Sequence, residues 1–126
     1  MIAVFDTSVL IDIDNRHKET IEKIAGLKQS YPDTPRISFI SYFEFIHGLH
    51  VKQVHNKQKS LAFVENFGVL QTTKNTANIL SILKRKYEDI SFSDLFIAAQ
   101  IIENNMILVT RDKIFNRIEE LNKLII

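Results

Sequence analysis

The chain has no cysteine at all, and that single absence removes disulfides, thiolate metal sites and cysteine nucleophiles from consideration. A cytoplasmic location fits such a composition. Only 3 glycines and 2 prolines interrupt 126 residues, so there is no flexible linker, low-complexity tract or internal repeat to suggest a second unit. No stretch approaches the roughly 20 apolar residues needed to cross a bilayer. The first apolar run is cut short by Asp6, which leaves no signal-peptide core. A single soluble domain spanning 1–126 is expected, and with 45% hydrophobic residues it can bury a substantial core.

What is present alternates between strand and helix signals. Ile2 to Phe5 reads as a buried strand, and Asp6-Thr7-Ser8 follows with cap-type residues that open a helix. Residues 18–28 carry Ile21, Ile24 and Leu27 at helical spacing. Pro32 and Pro35 bracket a loop before a second strand, Arg36 to Ile40. Ser41 stands three residues before Glu44, the spacing of a capping box, which puts Glu44 in the first turn of a helix reaching toward residue 66 with a break near His55-Asn56. Val69 to Gln71 suggests a short strand, and Asn75 to Tyr87 a helix with Ile79, Ile82 and Leu83 facing inward. Ser91 to Asp94 precedes a helix striped by Leu95, Ala98, Ile101 and Ile102, halted by Asn104-Asn105. Met106 to Val109 is another buried strand. Thr110-Arg111-Asp112 turns it into a last helix bearing Phe115, Ile118 and Leu121, and Leu124 to Ile126 is a candidate edge strand.

The alternation predicts an α/β fold: a three-layer, doubly wound parallel sheet with helices on both faces. In such sheets the carboxyl ends of strands and the amino ends of helices share one edge, where ligand sites form. Asp6, Glu44, Asp94 and Asp112 are all expected there. Each alone has a plainer explanation, because an acid in a first helical turn meets the positive end of the helix dipole. Four together do not. Two carboxylates about 4 Å apart repel by about 4 kcal/mol at an effective dielectric near 20, so a cluster would protonate or spread without a cation. Oxygen-only ligation points to Mg²⁺ or Mn²⁺ rather than zinc.

The ordered set of Asp6-Thr7-Ser8, Glu44, Ser93-Asp94 with Ile97-Ala98-Ala99, and Thr110-Arg111-Asp112 with Phe115 resembles the PIN-domain nucleases, most nearly the VapC-type toxins. That resemblance covers essentially the whole chain. It implies four or five parallel strands and an acidic trio of Asp6, Glu44 and Asp94, with Asp112 at a fourth, more variable position. Some relatives carry an acid immediately before the Phe, where this chain has Ile114. The implied activity is hydrolysis of RNA phosphodiester bonds that leaves a 5′-phosphate and a 3′-hydroxyl. Carboxylate-held metal ions can activate water and offset charge on the leaving oxygen. Ser8 and Thr110 could hold a water or a phosphate, and Arg111 could reach a phosphate or pair with a neighbouring acid. The resemblance further implies a homodimer and an antitoxin partner covering the acidic groove. Tyr42, Phe43, Phe45, Ile46 and Leu49 are candidates for such contacts, although core packing explains most of them as well.

Charge is consistent with a polyanionic substrate. Setting the four acids aside leaves 11 acidic residues against 16 basic ones. Lys52, Lys57 and Lys59 with His50 and His55 form one basic stretch and Lys84-Arg85-Lys86 another, each equally readable as a solvated helix face. Three other readings remain open. His47 and His50, three apart on a helix, could serve as an acid–base pair in a metal-independent ribonuclease. A receiver-like Mg²⁺ switch also gathers acids at a sheet edge, though usually with adjacent acids after the first strand. A PIN nuclease that processes RNA outside a toxin pair, or binds without cutting, is the third.

Overall fold

The computed structural model describes residues 1–51 and 56–126. The described residues build a five-stranded sheet in which every pairing is parallel, in the order β3-β2-β1-β4-β5. The strands are β1 (Ala3–Phe5), β2 (Arg36–Ile37), β3 (Gly68–Val69), β4 (Ile107–Thr110) and β5 (Lys123–Ile125). Between β1 and β2 run α1 (Thr7–Asp14) and α2 (Lys18–Leu27); between β2 and β3, α3 (Phe39–Val51) and α4 (Lys57–Val64). Helices α5 (Lys74–Lys86) and α6 (Phe92–Glu103) lead into β4, and a 3-10 helix, Lys113–Arg117, leads into β5.

Strand alternation sorts the core into two layers. Ala3, Phe5, Ile107 and Val109 project to one face and pack with Val9, Leu10, Phe45, Leu49 and Val64 from α1, α3 and α4. Val4 and Leu108 project to the other, among Leu83, Leu95, Ala98, Ile101, Phe115 and Ile118. The chain order reverses direction beside β1, whose neighbours are β2 on one side and β4 on the other. A crevice outside the carboxyl ends of β1 and β4 is therefore the natural ligand position of this topology.

Several expected boundaries shift. The second strand ends at Ile37 and α3 begins at Phe39, so Ser41 lies inside the helix and caps nothing. Ser38 does that work: its Oγ accepts from Ile40 N at 3.2 Å. Glu44 consequently lies in the second turn of α3, not the first. The predicted helix from residue 42 to 66 is two helices, α3 and α4, and His55 of the expected break lies outside the described residues. The third strand is Gly68–Val69. In α5 the buried residues are Thr76 and Leu83, continued by Tyr87 just past its end, with Ile79 and Leu80 partly covered; Ile82, one residue off that stripe, is 62% exposed instead of facing inward. The final helix is a short 3-10 turn. Phe115 is buried within it, while Ile118 and Leu121 are buried beyond its end. The terminal edge strand is present as β5.

Candidate active site

Asp6 terminates β1 and caps α1, its Oδ1 accepting from Val9 N at 3.1 Å and from Ser8 Oγ at 2.9 Å. Its other oxygen accepts from the hydroxyl of Thr110, which is fully buried at the end of β4. The adjacency is imposed by the register that pairs Phe5 with Val109. Thr110 Oγ1 in turn accepts from Asp112 N at 3.0 Å, and Asp112 Oδ1 caps the 3-10 helix through Ile114 N at 3.0 Å. Asp6, Thr110 and Asp112 are thus joined by one run of hydrogen bonds across two neighbouring strand ends.

Asp94 enters from the first turn of α6, whose cap Ser91 accepts from Asp94 N at 3.2 Å. Asn105, in left-handed backbone at φ 52°, ends that helix and returns the chain into β4. Glu44 reaches the same edge from α3, where Thr7 Oγ1 donates to its Oε1 at 2.7 Å. The start of α3 is fixed from a distance. Gln100 on α6 is wholly buried; its Oε1 accepts from Ser38 Oγ at 2.8 Å and Phe39 N at 3.0 Å, and its Nε2 donates to Leu70 O at 3.1 Å.

The acids feel one another. Burial is the main cause that pushes the Asp6 carboxyl above its ordinary pKa, opposed by its bonds from Thr110, Val9 and Ser8 and reinforced by the charge of Asp112. Asp94 is likewise raised, first by burial and then by the charges of Asp112 and Glu44, against the bond with Ser91. The four predicted acids therefore share one electrostatic neighbourhood at the sheet's carboxyl edge. Their donor chemistry, carboxylate oxygen throughout with hydroxyls behind, fits a hard divalent cation. No three His, Cys, Asp or Glu side chains among the described residues already converge as a ligand cage, so the acids are gathered but not drawn onto a single point.

Ser8 is exposed and bonded to Asp6. Arg111 forms an ion pair with Asp12 of α1. His47 stacks on Phe43, ring centroids 5.4 Å apart, and both it and His50 are exposed along α3. Phe45 and Leu49 are core residues; Phe43 is exposed, and Tyr42 and Ile46 are partly covered. Lys52 and His55 of the first basic stretch lie outside the described residues. In the second, Lys84 Nζ donates to the carbonyls of Glu88 and Ile90, and Lys86 pairs with Glu119 and Glu120. Thr7, Gln100 and Asp12 were not singled out from the sequence. Only Thr7 had a local signal, its place directly after Asp6. Beside Glu44 a cleft of about 150 Å³ opens between α1 and α3; a roomier apolar cavity of about 570 Å³, lined by Phe5, Ile24, Leu27 and Tyr31, touches none of the acids.

The PIN domain family model matches residues 3–121. The chain belongs to the PIN-domain family. A comparison with curated protein sequences found no match. Among solved structures, this PIN domain is similar to a chain of VapBC2 from Rickettsia felis bound to a DNA fragment from its promoter, with a TM-score of 0.81 at 22% identity over 100% of this chain and 99% of that one. It is similar also to a toxin–antitoxin complex from Klebsiella pneumoniae, at 0.78 and 24% identity over 94% of each chain. A third is VapBC-1 from nontypeable Haemophilus influenzae, at 0.76 and 26% identity over 99% of this chain and 98% of that one. The expected PIN-like α/β architecture is the one found. No helix among the described residues of the PIN domain is long and apolar enough to cross a membrane.

Proposed function

We propose that the chain is a Mg²⁺- or Mn²⁺-dependent endoribonuclease that works as a single PIN domain, as the toxin of a toxin–antitoxin pair in the cytoplasm. The observation that carries the proposal is the meeting of Asp6, Glu44, Asp94 and Asp112 at one sheet edge, with Asp6 and Asp94 both raised toward protonation by burial and by their acidic neighbours. Membership in the PIN family, whose members are generally nucleases that use divalent metal ions, supports the reaction class. Similarity to VapBC complexes supports an antitoxin partner, and the resemblance to VapC-type toxins implies a homodimeric assembly.

Asp6 and Asp94 would hold the cation directly, Glu44 directly or through water, and Asp112 through the water shell or at a second ion. When bound, the cation supplies the positive charge that offsets carboxylate repulsion and the charge developing on the phosphodiester. Glu44, which accepts from Thr7, would help to take a proton from the attacking water. Thr110 and Ser8 fix the orientation of Asp6 from opposite oxygens, and Arg111 offers a cation to substrate phosphate. Attack by water leaves a 5′-phosphate and a 3′-hydroxyl.

The test is incubation of the purified chain with a structured RNA pool and Mn²⁺, with and without chelator, beside Asp6→Asn. Cleavage that needs the cation and Asp6 and leaves 5′-phosphate ends is expected. Activity that survives chelation and leaves cyclic phosphate ends would instead favour the His47–His50 chemistry.

A further inference from the structure

Arg111 does not project freely from the corner between Thr110 and Asp112. Its guanidinium crosses to α1 and bonds Asp12 Oδ2. Asp12 is itself fixed from a third element, because Thr20 Oγ1 on α2 donates to the same oxygen at 2.7 Å and His17 Nδ1, which caps α2, lies 3.8 Å away. Asp12 stands four residues after Ser8, hence on the same face of α1, one helical turn further along. Ser8 touches Asp6. The cationic head of Arg111 is thereby held on α1 at Asp12, one helical turn along from Ser8, which itself bonds Asp6. The Arg111 side chain remains 45% exposed, whereas that of Asp12 is 18% exposed. Only one guanidinium nitrogen is engaged by the ion pair, and a planar five-donor fork can meet a second anion along its other edge.

Resting on the nuclease reading above, we propose that Asp12 is a positioning residue: it holds Arg111 as a docking point for an RNA backbone phosphate that flanks the one cut. Two effects of Asp12 oppose each other. Its negative charge repels the incoming phosphate across a solvent-exposed rim, which at a separation of roughly 7 Å in water weakens binding by about threefold. Immobilising a free arginine side chain at the moment of binding weakens it by about tenfold, and Asp12 has already done so. Preorganisation prevails.

The test compares Asp12→Asn, Thr20→Val, Arg111→Ala and the Asp12→Asn/Arg111→Ala double variant. Cleavage of a labelled single-stranded RNA is followed for KM and kcat, and binding of the same RNA by anisotropy in an Asp94→Asn background with Mg²⁺. Asp12→Asn should raise KM and weaken binding severalfold with kcat little moved. Thr20→Val, which leaves the charge but loosens it, should move both the same way by less. The double variant should be no weaker than Arg111→Ala, since Asp12 acts only through the arginine. Additive losses, an unmoved KM, or tighter binding by Asp12→Asn would each overturn the clamp. If the wild-type chain cuts no RNA yet the binding differences appear, the nuclease reading fails and the clamp stands.

Discussion

At the level of single side chains, the hydroxyl of Thr7 is the simplest link between two of the acidic positions, tying α1 to Glu44 at 2.7 Å. A hydrogen bond to a charged group contributes about 1.5–3 kcal/mol. Thr7→Val should therefore lower kcat/KM by about ten- to a hundredfold while Thr7→Ser retains it, with the unfolding temperature of the valine variant as the control for a general loss of structure. Asp6 supports a second prediction, with the opposite sign for stability. Its folded pKa is raised, so the folded protein holds this proton more tightly than the unfolded chain does. The stabilisation that comes from the protonated form is complete below the ordinary carboxylate pKa and is lost as pH rises through the raised value. Without divalent cation, Asp6→Asn should unfold at a higher temperature than wild type near pH 7, and the gap should close as pH falls to the ordinary carboxylate range. Its cleavage rate should fall by at least about a hundredfold. A variant that is less stable than wild type at neutral pH, or still cuts, contradicts the assignment. Asp6 was legible in the sequence because a four-residue apolar run stops dead against it; Thr7 was visible only as its neighbour, since its partner lies 37 residues away.

Among the elements, α6 and α3 are braced by Gln100, the wholly buried amide that satisfies Ser38, Phe39 and Leu70 at once. Replacing it by leucine of similar size would leave those polar groups unpaired in the interior, at about 1–3 kcal/mol for each one that water cannot reach. Gln100→Leu should lower the unfolding temperature by roughly 10 °C, measurable by thermal denaturation, and should lower activity further because Glu44 is carried by the helix whose start is released. The same brace explains why the start of α3 was misread. Ser41 and Glu44 have the spacing of a capping box, but the working cap is Ser38, stabilised by a side chain 62 residues away that no local pattern could announce. By contrast α1 and α6 were legible, since Asp6 and Ser91 cap them from within their own sequence. The i, i+3 spacing of Phe115, Ile118 and Leu121 suits a helix, yet one tight turn followed by extended chain buries the same three residues.

For the molecule as a whole, the parallel sheet could be inferred because buried apolar runs alternate with helical ones, a pattern that helices on both faces require. That inference also carried the acids to one edge, since β1 and β4 are neighbours with their carboxyl ends aligned. The proposed metal site would make the stability of this domain depend on both cation and proton. Asp12, Asp89 and Glu120 have lowered pKa values: bonds from Thr20 and Arg111 outweigh burial for the first, Arg117 holds the second, and the Tyr87 hydroxyl holds the third. Their stabilisation is present above the ordinary carboxylate range and is lost below it. Asp6 and Asp94 act in the window above that range, where their buried carboxyls become charged, Asp6 facing the charge of Asp112 and Asp94 those of Asp112 and Glu44. A divalent cation competes with protons for these same oxygens, so its effect should be confined to that upper window. At a cation concentration about a hundredfold above its dissociation constant, binding stabilises the folded state by about 2.7 kcal/mol, or roughly 8 °C in a domain of this size. Thermal scans with Mg²⁺ or Mn²⁺ against chelator should thus show a rise of that order near pH 7.5 that vanishes toward pH 4, and Asp94→Asn should flatten it throughout. A wild-type unfolding temperature indifferent to the cation at every pH would mean that the gathered acids hold no ion, and the hydrolytic reading would go with it.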